Sequence, residues 1–206
     1  MERIVFIIDD DDQVRISLVR LLSSAGYTVT AFASASLFFC HPLPAQPCCL
    51  IVDMTMPVIN GFDVVRQLEQ RGDALPVIFI SGHGTIPMTV QAMKAGAREF
   101  FTKPIISEQL LDAVEEALSF AEKNLLSRTE RVASTTRLEK LTPREREVLE
   151  LAIGGLLNKQ IATELGISEI TAKVHKRRVM DKMEAKTLAD LVRVAERLQI
   201  SRARSR

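Results

Sequence analysis

Five residues able to do chemistry follow short apolar stretches of this chain. Asp9 and Asp10 follow IVFII, Asp53 follows CLIV, Ser81 follows VIFI, and Lys103 comes shortly after REFF. Carboxylate oxygens are the ligands that Mg²⁺ prefers, and this ion needs only a few of them because it keeps several waters. A metal ion, an ammonium and a hydroxyl can together hold the oxygens of a phosphoryl group. These residues therefore indicate phosphoryl chemistry, provided that the fold brings them to one place.

The first 120 residues predict the elements that would do so. Strand-length apolar stretches occupy 4–8, 27–32, 49–52, 76–80 and 98–101, and helical patterns lie near 13–24, 34–40, 61–71, 86–95 and 107–120. Fully apolar strands that alternate with helices predict a parallel sheet covered on both faces. Ligands of such sheets bind at the carboxyl ends of the strands. We therefore expect the five residues to lie together at one mouth of the sheet, the edge formed by the carboxyl ends of its strands.

The four consecutive aspartates Asp9–Asp12 are expected to have different roles. Asp9 and Asp10 belong to the predicted cation site, which would compensate charges that otherwise repel one another. Asp12 lies at or next to the start of the first helix, where an acid caps free amide groups. Asp11 is interpreted as a loop residue without a role of its own.

Composition restricts the class of protein. The chain has 206 residues, of which 47% are hydrophobic and 26% charged, as in folded globular proteins. It contains no apolar run near the roughly 20 residues that span a bilayer, and acids stand where a signal peptide would have its apolar core. We therefore expect a cytoplasmic protein with no membrane partner. Its three cysteines are interpreted as small buried residues, because their spacing with His41 matches no zinc pattern.

Charge divides the chain into unlike halves. Residues 1–120 carry 8 Lys and Arg against 14 Asp and Glu, a net charge of −6, whereas residues 121–206 carry 19 against 12, a net charge of +7. An acidic half followed by a basic half predicts two domains with different partners, and nucleic acid suits the basic one.

The basic half has helical patterns only. Thr142, Pro143 and Glu145 form the signature of a capped helix start, and Asn158, Ser168 and Thr187 are expected to cap three further helices. Residues 121–140 are charged and lack Gly and Pro, so they predict a helical linker. The predicted domains are therefore 1–120, this linker, an all-helical domain at 141–200 and a basic tail at 201–206.

Residues 1–120 resemble the receiver domain of two-component response regulators. The matching motifs are DD (9–10), VDMTMPVINGFD (52–63), FISGHG (79–84) and FFTKPI (100–105). The resemblance implies a flavodoxin-like, five-stranded α/β domain in which Asp53 accepts a phosphoryl group from a phosphohistidine of a sensor histidine kinase. It also implies that Mg²⁺ is bound directly by Asp10 and Asp53, by Asp9 largely through water, and by the backbone carbonyl of Thr55.

The same resemblance assigns roles to three residues on the last two strands. Lys103 would pair with the phosphoryl group, and Ser81 would hydrogen-bond it after phosphorylation. Phe100 occupies the aromatic switch position, whose ring would swing when Ser81 moves; the alternative is an ordinary core aromatic. A receiver accepts and slowly loses its own phosphoryl group, so no separate substrate turnover, and hence no enzyme, is expected.

Residues 141–200 resemble the LuxR-type DNA-binding domain of the NarL/FixJ group, a four-helix variant of helix-turn-helix. The match runs from LTPRE through NKQIATELGIS to TAKVH. Side chains of the third helix suited to base edges and thymine methyl groups are Lys173, Val174 and Arg177. Residues suited to phosphate contacts are Thr171, Lys176, Arg178 and Lys159.

Together these features predict a response regulator that binds double-stranded promoter DNA as a homodimer and acts on RNA polymerase. Two alternatives stay open. The first is a phosphatase of the dehalogenase type, although it would want an Asp two residues after its nucleophile, where this chain has Thr55. The second is a constitutive DNA-binding protein whose receiver is only a scaffold.

Overall fold

The computed structural model describes residues 2–201. Residue contacts divide the chain into two compact units, with the boundary between Leu126 and Ser127.

The first unit contains a five-stranded sheet. Its strands are β1 (Ile4–Ile8), β2 (Thr28–Phe32), β3 (Cys48–Asp53), β4 (Val77–Ser81) and β5 (Glu99–Thr102). All neighbouring strands are parallel, and their order is β2-β1-β3-β4-β5. This is the doubly wound, flavodoxin-like order, whose switch point lies between β1 and β3. The predicted fold class is confirmed.

Five helices cover this sheet: α1 (Asp12–Ser24), α2 (Ala35–Phe39), α3 (Gly61–Arg71), α4 (Ile86–Lys94) and α5 (Ser107–Glu139). Alternate residues of each strand face opposite sides. Phe6 and Phe79 pack with α2, α3 and α4 in one core, whereas Ile7 and Ile78 pack with α1 and α5 in a second core. Because both faces are buried, the inner strands are apolar up to the polar residues Asp53 and Ser81, which end β3 and β4.

The first helix begins differently from the prediction. Asp11, not Asp12, caps α1, because its Oδ1 accepts hydrogen bonds from the amides of Gln13 at 2.8 Å and Val14 at 3.2 Å. Asp12 is the first helical residue and pairs with Arg15. Asp11 therefore does have a role, since an extended residue before the first turn directs its carboxylate at the free amides.

Helix α5 extends well past residue 120, so 121–139 are helical and the division between the units falls inside this helix. Within residues 2–201, no helix is both long and apolar enough to cross a membrane. All three cysteines are free, and Cys48 and Cys49 are buried in β3 as predicted. The prediction of a buried residue is wrong for Cys40, which follows the last turn of α2 and is exposed.

The second unit adds four helices after α5: α6 (Pro143–Ile153), α7 (Asn158–Leu165), α8 (Glu169–Lys182) and α9 (Leu188–Arg197). Thr142, Ser168 and Thr187 cap α6, α8 and α9 as predicted. The prediction for Asn158 is wrong: it is the first residue of α7 and Leu157 occupies the cap position, where no side-chain cap is made. The predicted tail 201–206 lies, from residue 202 on, outside the described residues.

The four helices enclose one small core. Val148, Ile161, Ala172, Val179 and Leu191 are among its almost fully buried members. Ala172 and Val179 lie on one side of α8, so the opposite side of that helix is turned away from the core.

Candidate functional site

The carboxyl ends of four strands bring the predicted reactive residues together in the first unit. Asp9 follows β1, Asp53 and Ser81 end β3 and β4, and Lys103 follows β5. The Lys103 Nζ donates hydrogen bonds to Asp9 Oδ2 at 2.8 Å and to Asp53 Oδ1 at 2.7 Å. Residues separated by up to 94 positions thus form one ionic cluster.

Burial controls the charges in this cluster. Asp9 is 0% and Asp53 4% exposed, so both carboxylates are shielded from water. Burial raises the pKa of the Asp9 carboxyl above its ordinary value, and the hydrogen bonds from Lys103 and the Asp11 amide only partly oppose this. Burial would lower the pKa of the Lys103 ammonium, but its hydrogen bonds to Asp53 and Asp9 outweigh that effect and raise it. Lys103 is therefore held as a cation between two acids.

The remaining carboxylate oxygens of the cluster accept backbone hydrogen bonds. Asp53 Oδ2 accepts one from the Thr55 amide at 2.6 Å, and Asp9 Oδ1 accepts one from the Asp11 amide at 2.9 Å. Both carboxylates are consequently fixed in orientation. Asp10 is exposed beside them, and Thr55 is exposed as well.

The donors at this mouth are carboxylate oxygens beside one ammonium. Within the described part of the chain, no three His, Cys, Asp or Glu side chains are grouped so as to hold one. The chemistry of the donors nevertheless fits Mg²⁺, because the carboxylates of Asp9 and Asp53 share one ammonium and Asp10, the next residue in the chain, is exposed. Negative charge exceeds positive charge there, and all the available donors are hard oxygen atoms.

Gly61 allows the loop after β3 to fold back over the strand end. Its amide donates to the Met54 carbonyl at 3.2 Å. A Cβ at this position would lie 2.9 Å from Phe79 Cε1 and 3.0 Å from the Asp53 carbonyl oxygen. Any larger residue would therefore displace the segment that carries Asp53.

Ser81 and Phe100 are both buried, at 0% and 8% exposure. The Ser81 Oγ accepts a hydrogen bond from the His83 amide at 3.2 Å, and its carbonyl accepts one from the Lys103 amide at 2.8 Å. A Cβ on Gly84 would overlap Thr102 Cγ2 and lie 3.0 Å from Phe100 Cε1. The loop after Ser81 thus packs directly on the Phe100 ring, a contact that the sequence pattern did not reveal.

The second unit presents the predicted base-reading residues on one exposed side of α8. Lys173 is exposed, Val174 is 44% exposed and the Arg177 side chain is 85% exposed. Arg177 has one acidic neighbour, Asp181, at 4.0 Å. The core residues Ala172 and Val179 occupy the opposite side, so this arrangement agrees with the predicted division of the helix.

Of the predicted phosphate contacts, three lie on α8 and Lys159 lies on α7. Thr171, Arg178 and Lys159 are exposed and Lys176 is partly buried. The Thr171 hydroxyl lies 2.8 Å from the Ser168 Oγ and so also takes part in capping α8.

A buried ion pair holds the far end of α8, and the sequence pattern did not identify it. The Lys182 Nζ donates to Glu145 Oε2 at 2.6 Å and to the Lys140 carbonyl at 3.1 Å. Glu145 is 2% exposed and also accepts the Thr142 amide at 2.9 Å. Burial alone would raise the pKa of the Glu145 carboxyl, but its hydrogen bonds from Lys182 and Thr142 outweigh this and lower it. The only sequence signal was the capping-box acid itself.

Comparisons with known proteins cover both units. The model of the response regulator receiver domain matches residues 5–115, and that of the bacterial regulatory proteins of the luxR family matches residues 139–195. The response regulator protein TodT of Pseudomonas putida is 47% identical over 200 residues, covering 96% of this chain and 87% of that protein. Nodulation protein W of Bradyrhizobium diazoefficiens is 43% identical over 198 residues, covering 96% and 87%. The structure of the response regulator StyR aligns with a TM-score of 0.84 and 45% identity, covering 95% of this chain and 99% of that one.

Proposed function

This chain belongs to the response regulators that combine a receiver domain with a LuxR-type DNA-binding domain, and we propose that phosphorylation of Asp53 by a sensor histidine kinase controls its binding to promoter DNA. The observation that carries the proposal is the cluster in which Lys103 lies 2.7 Å from a carboxylate oxygen of Asp53 at the end of β3.

In the phosphorylation step, a carboxylate oxygen of Asp53 forms a bond to phosphorus while the phosphorus–nitrogen bond of the donor phosphohistidine breaks. The electron pair of that bond stays with the imidazole nitrogen, which can then take up a proton. Lys103 offsets charge on the phosphoryl oxygens, since its ammonium already lies at the Asp53 carboxylate. The Ser81 hydroxyl, on the neighbouring strand, donates to a phosphoryl oxygen once its loop has moved.

The predicted Mg²⁺ would be held by Asp10 and Asp53, by Asp9 largely through water, and by the Thr55 carbonyl. When bound, it would supply positive charge that offsets both the carboxylates and the developing phosphoryl charge. Asp9 accepts a hydrogen bond from Lys103 at 2.8 Å, so this residue links the ammonium to the acidic pair.

Phe100 is proposed as the residue that transmits the change. Its ring packs against the loop that follows Ser81, so movement of this loop toward a phosphoryl group would open space beside the ring. The face formed by β5 and its neighbouring helices would be altered in the process. We propose that this change favours a homodimer.

The DNA-binding function rests on the exposed side of α8. Lys173, Val174 and Arg177 would reach base edges in the major groove, and the other predicted cations would bind phosphates. A dimer of such modules reads two half-sites related by its symmetry. On promoter DNA it would act on RNA polymerase, and the receiver would have no separate substrate to turn over.

A small phosphodonor with Mg²⁺ tests the phosphoacceptor. We expect labelling of up to one phosphoryl group per chain, lost in Asp53→Asn and retained in Asp63→Asn, which removes a half-buried acid from the first turn of α3. Multiple turnover of the donor at a steady, high rate would contradict the proposal and favour the phosphatase alternative.

Promoter affinity at fixed salt concentration tests whether phosphorylation of Asp53 controls DNA binding. Phosphorylated wild-type chain should bind its duplex more tightly than either the unphosphorylated chain or Asp53→Asn. Equal affinity in all three would show a constitutive DNA-binding protein whose receiver is a scaffold.

A further inference from the structure

An isoleucine outside the predicted set of DNA contacts is exposed on α8. Ile170, the second residue of the helix, is 78% exposed. Among the large hydrophobic residues described in the second unit, it has the highest exposure, ahead of Leu157 at 70% and Val132 at 61%. Burial in the core of that unit therefore does not account for its side chain.

Ile170 lies on the same side of α8 as the predicted base-reading residues. Positions three, four and seven residues further along a helix share one face, and here they are Lys173, Val174 and Arg177. This side thus alternates two cations with two exposed β-branched apolar groups. Helix propensity does not explain isoleucine at an exposed position either, since its branched side chain loses rotamer freedom in a helix.

The position and chemistry of Ile170 suit the major groove. In helix-turn-helix proteins, the N-terminal residues of the reading helix contact base edges. Of the four bases, only thymine presents a methyl group there, and apolar side chains recognise it. The cations on the same side favour a polyanion as the occupant of this surface over an apolar protein partner.

We propose that Ile170 contacts a thymine methyl group in the operator and is a further specificity-determining residue beside Val174. The proposal rests on the proposed DNA-binding function. It assigns Ile170 to the selection of one base rather than to general affinity, because an isoleucine carries no charge for phosphate.

This assignment is tested by selecting bound duplexes from a random DNA library, with the full chain in the presence of a phosphodonor and Mg²⁺. Wild type and Ile170→Ala are compared, and Val132→Ala serves as control because it removes a similarly exposed β-branched residue from α5. We expect a thymine preference in the wild-type and control sites that is lost in Ile170→Ala. Matched far-UV circular dichroism shows that the variants are equally folded.

Replacement of that thymine by uracil then removes only the methyl group. Wild type should lose about fourfold in affinity, as expected for one buried methyl group, and Ile170→Ala should lose nothing further. The Ile170 assignment is overturned if wild type and Ile170→Ala select the same site with the same thymine preference and lose the same affinity when that thymine is replaced by uracil. The proposed DNA-binding function would still stand in that case. If wild type selects no sequence at all, both are overturned.

Discussion

Lys182→Met should destabilise the DNA-binding unit by leaving an acid buried without its cation. The Glu145 side chain is 3% exposed and that of Lys182 is 36% exposed. Methionine keeps much of the length and the helix propensity of lysine but cannot donate to Glu145 or to the Lys140 carbonyl. The ion pair links the start of α6 to the end of α8, so its loss acts on the helix that reads DNA.

The size of the effect follows from these exposures. Breaking a fully buried ion pair by removing one partner costs about 3–5 kcal/mol. Lys182 is exposed over about a third of its side chain, so water screens part of the attraction. We therefore expect a loss of about 2 kcal/mol in the free energy of unfolding at pH 7.

The loss should depend on pH in a defined direction. The pKa of Glu145 is lowered in the folded chain, so its stabilising contribution is present above the unfolded pKa of about 4.3 and disappears as pH falls through the folded pKa. In Lys182→Met, the hydrogen bond and charge of Lys182 no longer oppose the effect of burial, so the pKa of the Glu145 carboxyl rises. The difference in free energy of unfolding between wild type and variant is therefore largest near neutral pH and becomes smaller toward pH 4.

Hydrogen exchange of the α8 amides, followed by mass spectrometry on the full chain, measures this free energy locally. Aromatic fluorescence would not, because Tyr27 and all nine phenylalanines precede residue 121 and the chain has no tryptophan. Lys186→Met is the control, since it removes an exposed lysine from the same unit.

Two results would refute the reasoning about the ion pair. One is a cost for Lys182→Met below about 0.5 kcal/mol at pH 7, the range of ordinary surface substitutions. The other is a cost that does not change between pH 7 and pH 4. Adding Glu145→Gln to Lys182→Met should recover part of the loss, because glutamine can still accept the Thr142 amide and carries no charge.

Three further outcomes are expected. Gly61→Ala should cost about 1–3 kcal/mol in urea unfolding of the receiver and slow its labelling by phosphodonor, because the new Cβ meets Phe79 and the backbone. Phe38→Ala should cost about 3–5 kcal/mol in the same assay, since this ring is 2% exposed among other aromatic rings. In binding titrations, Arg177→Ala should cost about 1–3 kcal/mol and relax preference at one base position, whereas Lys159→Ala should weaken all sequences alike and reduce the salt slope by about 1; uniform weakening by Arg177→Ala would contradict its role.

Much of the fold could be predicted from the apolar pattern. Strands buried on both faces are apolar along their length, and only the last residue of β3 and of β4 is polar, so β1, β3 and β4 stood out from the helices between them. Most observed bounds differ from the predicted ones by a residue or so, because the last residue of an element depends on its hydrogen bonds. The longest difference is α5, whose charged second half carries no stop signal before Glu139.

Three predicted helix caps are confirmed, that of Ser168 by its side-chain hydrogen bond alone and the other two within a full capping box. Thr142 with Glu145 and Thr187 with Asp190 cap as expected. Asp11 and Asn158 were assigned wrongly, because neighbouring polar residues are equally suited to capping by type. Which one reaches the free amides depends on where the backbone turns into the helix.

The sequence by itself determined which groups would meet at the mouth of the sheet, because parallel strands bring their carboxyl ends to one edge whatever their loops do. Only the tertiary structure decided how those groups pair: that Lys103 bridges Asp9 and Asp53, and that Lys182 reaches Glu145 across 37 positions. It also decided that Ile170 lies open to solvent on the side of α8 that carries the cations. Periodicity assigns a residue to a face of its own element, but contacts and exposure depend on how separate elements pack against one another.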